Sequence, residues 1–148
     1  MHSPVGDLTL FAEDDAIVAL EWGWSSLQEP SALLRQAKAA LDAYFDGEAP
    51  LPDDLPLNPS GTPYRRKVWA ALRAIPHGET RSYAALAREA GGSPRSIGGA
   101  NAANPIPILI PCHRVLATGG IGGYSGGEGL TTKRLLLALE TRTKAPQA

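Results

Sequence analysis

The sequence predicts two small domains, an α/β unit followed by a mainly helical unit built around a helix-turn-helix. Three observations carry this. Residues 8–47 change from the two-residue period of strands to the 3.6-residue period of a helix. The stretch EAPLPDDLPLNPSG (48–61), rich in Pro, Asp and Gly, has no period. Charge changes sign across it: residues 1–60 carry two basic and eleven acidic side chains, net −9, whereas residues 61–148 carry twelve basic and four acidic ones, net +8. The expected organisation is an amino-terminal domain over 1–47, a linker over 48–61 and a second domain over 62–148.

Each element follows from local pattern. In LTLFAEDDAIVALEWGW (8–24), Leu8, Leu10 and Ala12 alternate, AEDD turns the chain, and Ile17, Ala19 and Leu20 resume, which predicts two strands. SALLRQAKAALDAYFDG is an amphipathic helix. Ser31 caps it, Leu33, Leu34, Ala37, Ala40, Leu41, Tyr44 and Phe45 share a face, and Gly47 stops it. In the second domain Thr62 caps a helix with Pro63 at its first position; Tyr64, Val68, Leu72 and Ile75 form one face and Pro76 ends it. ETRSYAALAREA predicts a short helix with Tyr83, Leu86, Ala87 and Ala90 inward, and GGS breaks it. SPRSIGGANAAN starts another, with Ser93 as cap and Pro94 in the first turn, so the pair forms a helix-turn-helix pattern. The prolines of NPIPILIP exclude a helix and predict an extended apolar segment. ATGGIGGYSGGEG is a glycine-rich loop or hairpin, and TTKRLLLALE a closing helix capped by Thr131 or Thr132.

Composition narrows the class. Of 148 residues, 43% are hydrophobic and 20% charged, the profile of a soluble globular protein. No apolar run approaches the ~18–20 residues of a membrane span, and MHSPVGDLTL lacks the basic flank and apolar core of a secretory leader. The single cysteine, Cys112, excludes an internal disulfide and a multi-cysteine metal site; an unpaired thiol suits a reducing cytoplasm. Neither His77 nor His113 has a partner at metal-ligand spacing, so no metal or cofactor is expected. A basic half joined to an acidic one implies a polyanion-binding surface, or two halves that attract each other. A monomer is the default expectation.

Two segments carry chemistry. From Ser96 the second short helix reads Ser, Ile, Gly, Gly, Ala, Asn, Ala, Ala. A helix that reads the major groove wants Arg, Gln and Asn along its face; this one has Arg95 at its start and little bulk after it. Its two glycines weaken it by about 1 kcal/mol each relative to alanine. They suit tight packing on a neighbouring helix, or a backbone that another molecule must approach closely. Cys112 has His113 and Arg114 beside it in sequence. Cationic neighbours lower a thiol's pKa and make it a nucleophile; a lone cysteine also packs as a small inert hydrophobe. His113 reads as a base or as a structural histidine, and His77 as a turn residue.

IPCHRV, with ANPIPIL before it and GGYSGG then LLLALE after it, resembles the O6-alkylguanine-DNA alkyltransferases, or methylated-DNA–protein-cysteine methyltransferases. GTPYRRKVWAALRAIPHGETRSYAALA extends the resemblance over residues 61–140; SPVGDLTL and LDAYFDGE extend it more loosely over 3–47. The resemblance implies an α/β N-terminal ribonuclease-H-like domain and a mainly α C-terminal winged-helix-like (helix-turn-helix) domain. It implies DNA repair by direct reversal, with irreversible transfer of the alkyl group from O6-alkylguanine in double-stranded DNA to Cys112, in one turnover and without a cofactor. O4-alkylthymine is a second candidate substrate.

Roles carry over by position. Cys112 is the acceptor, His113 the base acting through a water, Glu140 the carboxylate that orients it, and Asn104 the hinge asparagine. Arg95 matches the finger that fills the base stack, with Ser96 beside it on the DNA side. Tyr83 meets the flipped nucleotide, and Tyr124, Ser125 and Gly126 form the loop that approaches O6. The carbonyls of Cys112 and Val115 accept from the guanine amino group. The chain departs from the family in a shorter turn between Tyr83 and Arg95, and it lacks the amino-terminal cysteines through which some members bind zinc. Two other readings compete. Alkyltransferase-like proteins bind lesions without transfer, but they replace the cysteine, usually with tryptophan, and this chain retains it. A helix-turn-helix transcription factor needs base-reading side chains that this recognition helix lacks.

Overall fold

The computed structural model describes residues 1–142; residues 143–148, the end of the expected second domain, lie outside the described residues. Strands β1 (Leu8–Glu13) and β2 (Ala16–Trp22) pair antiparallel. Asp14 and Asp15 turn between them at φ +49° and +60°, a conformation that short polar side chains tolerate. Phe11 pairs with Ala19 but Ala12 pairs with Ile17, so Val18 is the extra residue of a bulge. The bulge explains why Ile17 and Leu20, three positions apart, are both buried. Helix α1 (Ala32–Phe45) starts where the Ser31 hydroxyl accepts from the Leu34 N–H, and buries Ala37, Leu41, Tyr44 and Phe45. Gly47 follows it at φ +72°, where a side chain would be strained.

Residues 48–61 form no helix and only a bridge at Leu57, yet they are held. Ile17 N–H donates to Pro56 O, Asn58 N–H donates to Ile17 O, and Leu55 is buried. The buried apolar residues of both halves, from Val5 to Leu139, form one cluster.

Helix α2 (Pro63–Arg73) begins at the predicted Thr62 cap. Trp69, unassigned by the periodicity, is also buried; its Nε1–H donates to Ala100 O at 2.9 Å and ties α2 to the helix that carries Ala100. Strand β3 (Arg81–Ser82) pairs in parallel with β4 (Val115–Leu116), where the sequence predicts helix. Ser82 is the N-cap of α3 (Tyr83–Ala90), and a cap holds extended backbone, here φ −79° and ψ 158°. Helix α4 (Pro94–Ala102) opens with a reciprocal Ser93–Ser96 capping box. Between α3 and α4, Gly91 and Gly92 both have positive φ. The Tyr64 hydroxyl donates to Gly91 O and meets Ser96 Oγ at 2.8 Å. A residue on α2 thus closes the short turn.

NPIPILIP is not extended. Its prolines exclude a helix, but the chain doubles back, with Ile110 N–H donating to Ile106 O at 2.9 Å. Ile108 lies at φ +72°, an outlier for a β-branched residue of the kind that clusters at functional sites. Ile106, Ile108 and Ile110 point into the core, and that burial holds the turn. In α5 (Leu130–Arg142), Thr131 and Thr132 lie inside the helix rather than capping it; the Thr132 hydroxyl instead accepts from the Glu128 N–H in the preceding loop.

Candidate active site

The isoleucine turn delivers the chain into a single 3₁₀ turn, Cys112–Arg114, just before β4. Asn104 fixes the approach. Its Nδ2 donates to Ile110 O at 2.9 Å, and its Oδ1 accepts from the Ile106 N–H at 3.0 Å. One amide therefore clamps both ends of the turn between α4 and Cys112.

Successive side chains then diverge onto one carboxylate. His113 Nε2 lies 2.6 Å from Glu140 Oε2, while Arg114 donates through Nε to Oε1 at 2.7 Å and through Nη2 to Oε2 at 3.1 Å. Arg114 Nη1 also donates to Ile75 O. The fourth donor comes from the other domain: the Tyr44 hydroxyl reaches Glu140 Oε2 at 2.6 Å. Burial alone would raise the Glu140 carboxyl; the hydrogen bonds from His113 and Arg114 and the Arg114 charge outweigh it and hold the group well below the usual carboxylate range.

Burial pushes the Cys112 thiol up, against the smaller opposing effects of Asn104 and Lys133. Of the two readings the sequence left open, activation by cationic neighbours finds no support in Arg114. Arg114 faces away, onto Glu140, and burial lowers His113 below its ordinary value despite Glu140. At neutral pH the thiol is protonated and the imidazole neutral. With Nε2 facing the carboxylate, Nε2 carries the proton and Nδ1 the lone pair. That Nδ1 is buried without a protein partner. The thiol is thus followed in the chain by a neutral imidazole held on a carboxylate.

A cleft of about 300 Å³ opens onto Cys112, at the lower end of small-ligand sites. Tyr83, Gly98, Asn101, Ala102, Cys112, Gly123, Tyr124 and Ser125 line it. Of the residues expected from sequence, Cys112, Tyr83, Tyr124 and Ser125 meet here, with His113, Glu140 and Asn104 behind them. Arg95 is exposed in the first turn of α4, outside the lining. Ser96 is not delivered to the cleft: its hydroxyl serves the capping box and Tyr64. Val115 is fully buried, and its carbonyl already accepts from Lys133 Nζ at 2.7 Å. Gly126 lies behind the loop, against Trp22. A Cβ added at Gly98 or Gly99 meets nothing within 4 Å. Packing therefore does not require these glycines, and the face they leave bare is open.

Sequence reasoning missed Lys133, Tyr44 as a partner of the site, and Asn101. Lys133 is fully buried and donates to the carbonyls of Val115, Ile121 and Gly123 at 2.7, 2.6 and 3.0 Å. Its spacing from Leu136 and Glu140, three and seven residues on, places it on the inner face of α5; that period was the available signal. Asn101 donates weakly to Cys112 O, at 3.4 Å, and its buried Oδ1 has no partner. Among the described residues no cluster of His, Cys, Asp and Glu could hold a metal ion, and no helix is long and apolar enough to cross a membrane.

Residues 63–142 match the family model described as 6-O-methylguanine DNA methyltransferase, DNA binding domain, and residues 1–59 match its ribonuclease-like domain. The chain belongs to the 6-O-methylguanine DNA methyltransferase family. It is 42% identical over 155 aligned positions to the methylated-DNA–protein-cysteine methyltransferase of Mycolicibacterium paratuberculosis, covering 96% of this chain and 90% of that one. A relative of the same name from Methanosarcina acetivorans is 38% identical, with 94% of each chain covered. Among solved structures, Mycobacterium tuberculosis OGT in complex with DNA superposes with a TM-score of 0.86 at 39% identity, covering 98% of this chain and 92% of that one. The family's two-domain architecture, ribonuclease-like then DNA-binding, is thus present along the whole described chain.

Proposed function

We propose that this protein repairs alkylated DNA by direct reversal, moving the alkyl group from O6 of guanine in duplex DNA to Sγ of Cys112. The observation that carries the reading is the order Glu140, His113, Cys112, cleft. A neutral imidazole has one nitrogen on a carboxylate and its lone pair free, beside a protonated thiol that lines the cleft.

The chemistry follows. His113 Nδ1, through a water, removes the thiol proton, and Glu140 stabilises the imidazolium that forms. Sγ attacks the alkyl carbon in line; the S–C bond forms as the C–O6 bond breaks, and its electrons leave with O6. A donor at O6 eases that departure, and the Tyr83 hydroxyl and the backbone N–H of Ser125 are the candidates at the cleft. The product thioether does not hydrolyse, so each molecule acts once. A base inside a duplex hides its O6, so the nucleotide is flipped out at a cost of a few kcal/mol. Arg95, exposed at the start of α4, fills the gap in the stack. The bare Gly98–Gly99 face lets the α4 backbone approach the minor groove. Asn104 acts as hinge, and the carbonyl of Cys112, with the remaining lone pair of Val115 O, takes the guanine amino group. The same reading takes the first domain as ribonuclease-H-like and the second as winged-helix-like, joined through 48–61, in a monomeric cytoplasmic protein.

Intact mass after mixing with a duplex carrying one O6-methylguanine tests this. Wild type gains one methyl in place of one hydrogen, never more than one per molecule, and Cys112→Ala gains none. Tight lesion binding with no mass gain would instead favour a lesion-binding protein without transfer.

A further inference from the structure

We propose that Trp22 is a positioning residue for the transfer, one that makes the amino-terminal domain part of the active site; this rests on the repair reading above. Trp22 ends β2 opposite Leu8, and the next residue is fixed too, Gly23 N–H donating to Asp7 O at 2.8 Å. From that anchored edge its indole packs against the loop after Tyr124 and Ser125, at Gly126 and Gly127. A Cβ at Gly126 would sit 2.6 Å from Trp22 Cζ2 and 2.8 Å from Cε2 and Nε1. One at Gly127 would sit 3.2 Å from Cζ3 and 2.7 Å from the Thr132 hydroxyl oxygen. Gly126 does not have positive φ, so left-handed backbone does not call for a glycine there; the indole is what excludes a side chain.

The rest of the loop is held by Tyr124 packing against the core, by Gly129 N–H donating to Gly126 O at 2.9 Å, and by hydrogen bonds at its flanks. Lys133 takes the carbonyls of Ile121 and Gly123 on one side, and Thr132 takes the Glu128 N–H on the other. Between them lie Tyr124 and Ser125, which face Cys112 across the cleft. Trp22 is the surface against which this middle section rests. It fixes how far the Ser125 backbone stands from the sulfur. Misplacing a reacting group by about 1 Å costs roughly a hundredfold in rate.

The test is a set of variants: Trp22→Ala, Trp22→Phe, Gly126→Ala and Trp22→Ala with Gly126→Ala. Single-turnover transfer from an O6-methylguanine duplex is measured across DNA concentrations, which separates the limiting rate from binding. Amide hydrogen exchange over residues 122–129 reads the seating even if no transfer occurs, so failure of the repair reading and failure of this one are told apart. Gly126→Ala and Trp22→Ala should each lower the limiting rate at least about tenfold, with duplex affinity unchanged. The double variant should match Trp22→Ala alone, because the added methyl then has room. Trp22→Phe should retain most of the rate, and Trp22→Ala should speed loop exchange. Unchanged loop exchange in Trp22→Ala, or losses that multiply in the double variant, would overturn the proposal.

Discussion

Replacing Glu140 with glutamine keeps the shape of the side chain and removes its charge. Four donors now converge on the carboxylate at 2.6–3.1 Å: the Tyr44 hydroxyl, His113 Nε2, and Arg114 Nε and Nη2. A glutamine offers one acceptor oxygen and brings two donors of its own, so at least one buried donor loses its partner, at about 1–3 kcal/mol. The Arg114 guanidinium, itself buried, is left without a counter-charge. Breaking a buried pair from one side costs about 3–5 kcal/mol, a large share of the roughly 5–15 kcal/mol that holds a protein folded. The melting temperature should fall on the order of 10 °C at neutral pH. The pH dependence supplies the sharper check. The Glu140 carboxyl titrates lower in the folded protein than its unfolded value of about 4.3. Its stabilisation is complete above that unfolded value and drains away as pH falls towards the folded one. Glutamine does not titrate, so the gap between wild type and variant should narrow in acid. Calorimetry at neutral pH and at about pH 3 reads both quantities. A variant that melts within about 2 °C of wild type, or a gap that does not change with pH, would refute the account of Glu140 as the charged centre of the site.

Other consequences are as specific. Burial lowers His113 and raises Cys112, so transfer should be flat through neutral pH and fall in acid with an apparent pKa below about 6.5; a rate that climbs with thiol ionisation up to about pH 9 would exclude His113 as the base. Gly98→Ala and Gly99→Ala should each leave the fold as stable or more so, by up to about 1 kcal/mol, while weakening duplex binding; unchanged affinity in a gel-shift titration would show that nothing approaches that face. Lys133→Met strands three carbonyls; chemical denaturation should show a loss of about 2–4 kcal/mol, and transfer should slow because the Tyr124–Ser125 loop loses its flank.

What the sequence by itself determined is local. The Ser31, Thr62 and Ser93 caps lie three residues from the N–H groups they serve, so the pattern that names them is contained in one turn of chain. Cys112 and His113 are neighbours, and the family resemblance supplied Glu140 and Asn104. Where a segment's conformation depends on what it packs against, local pattern misread it. The prolines of NPIPILIP exclude a helix, but burial of Ile106, Ile108 and Ile110 and the Asn104 clamp fold the segment into a turn. Adjacency placed a cation next to the thiol, yet backbone direction in the 3₁₀ turn sends Arg114 to Glu140, and burial pushes the Cys112 thiol up. Tyr44 on Glu140, 96 residues away, and Trp22 on Gly126 belong to tertiary structure alone. Periodicity tells which face of a helix or strand is buried; it carries no information about which group from the far end of the chain waits there to be met.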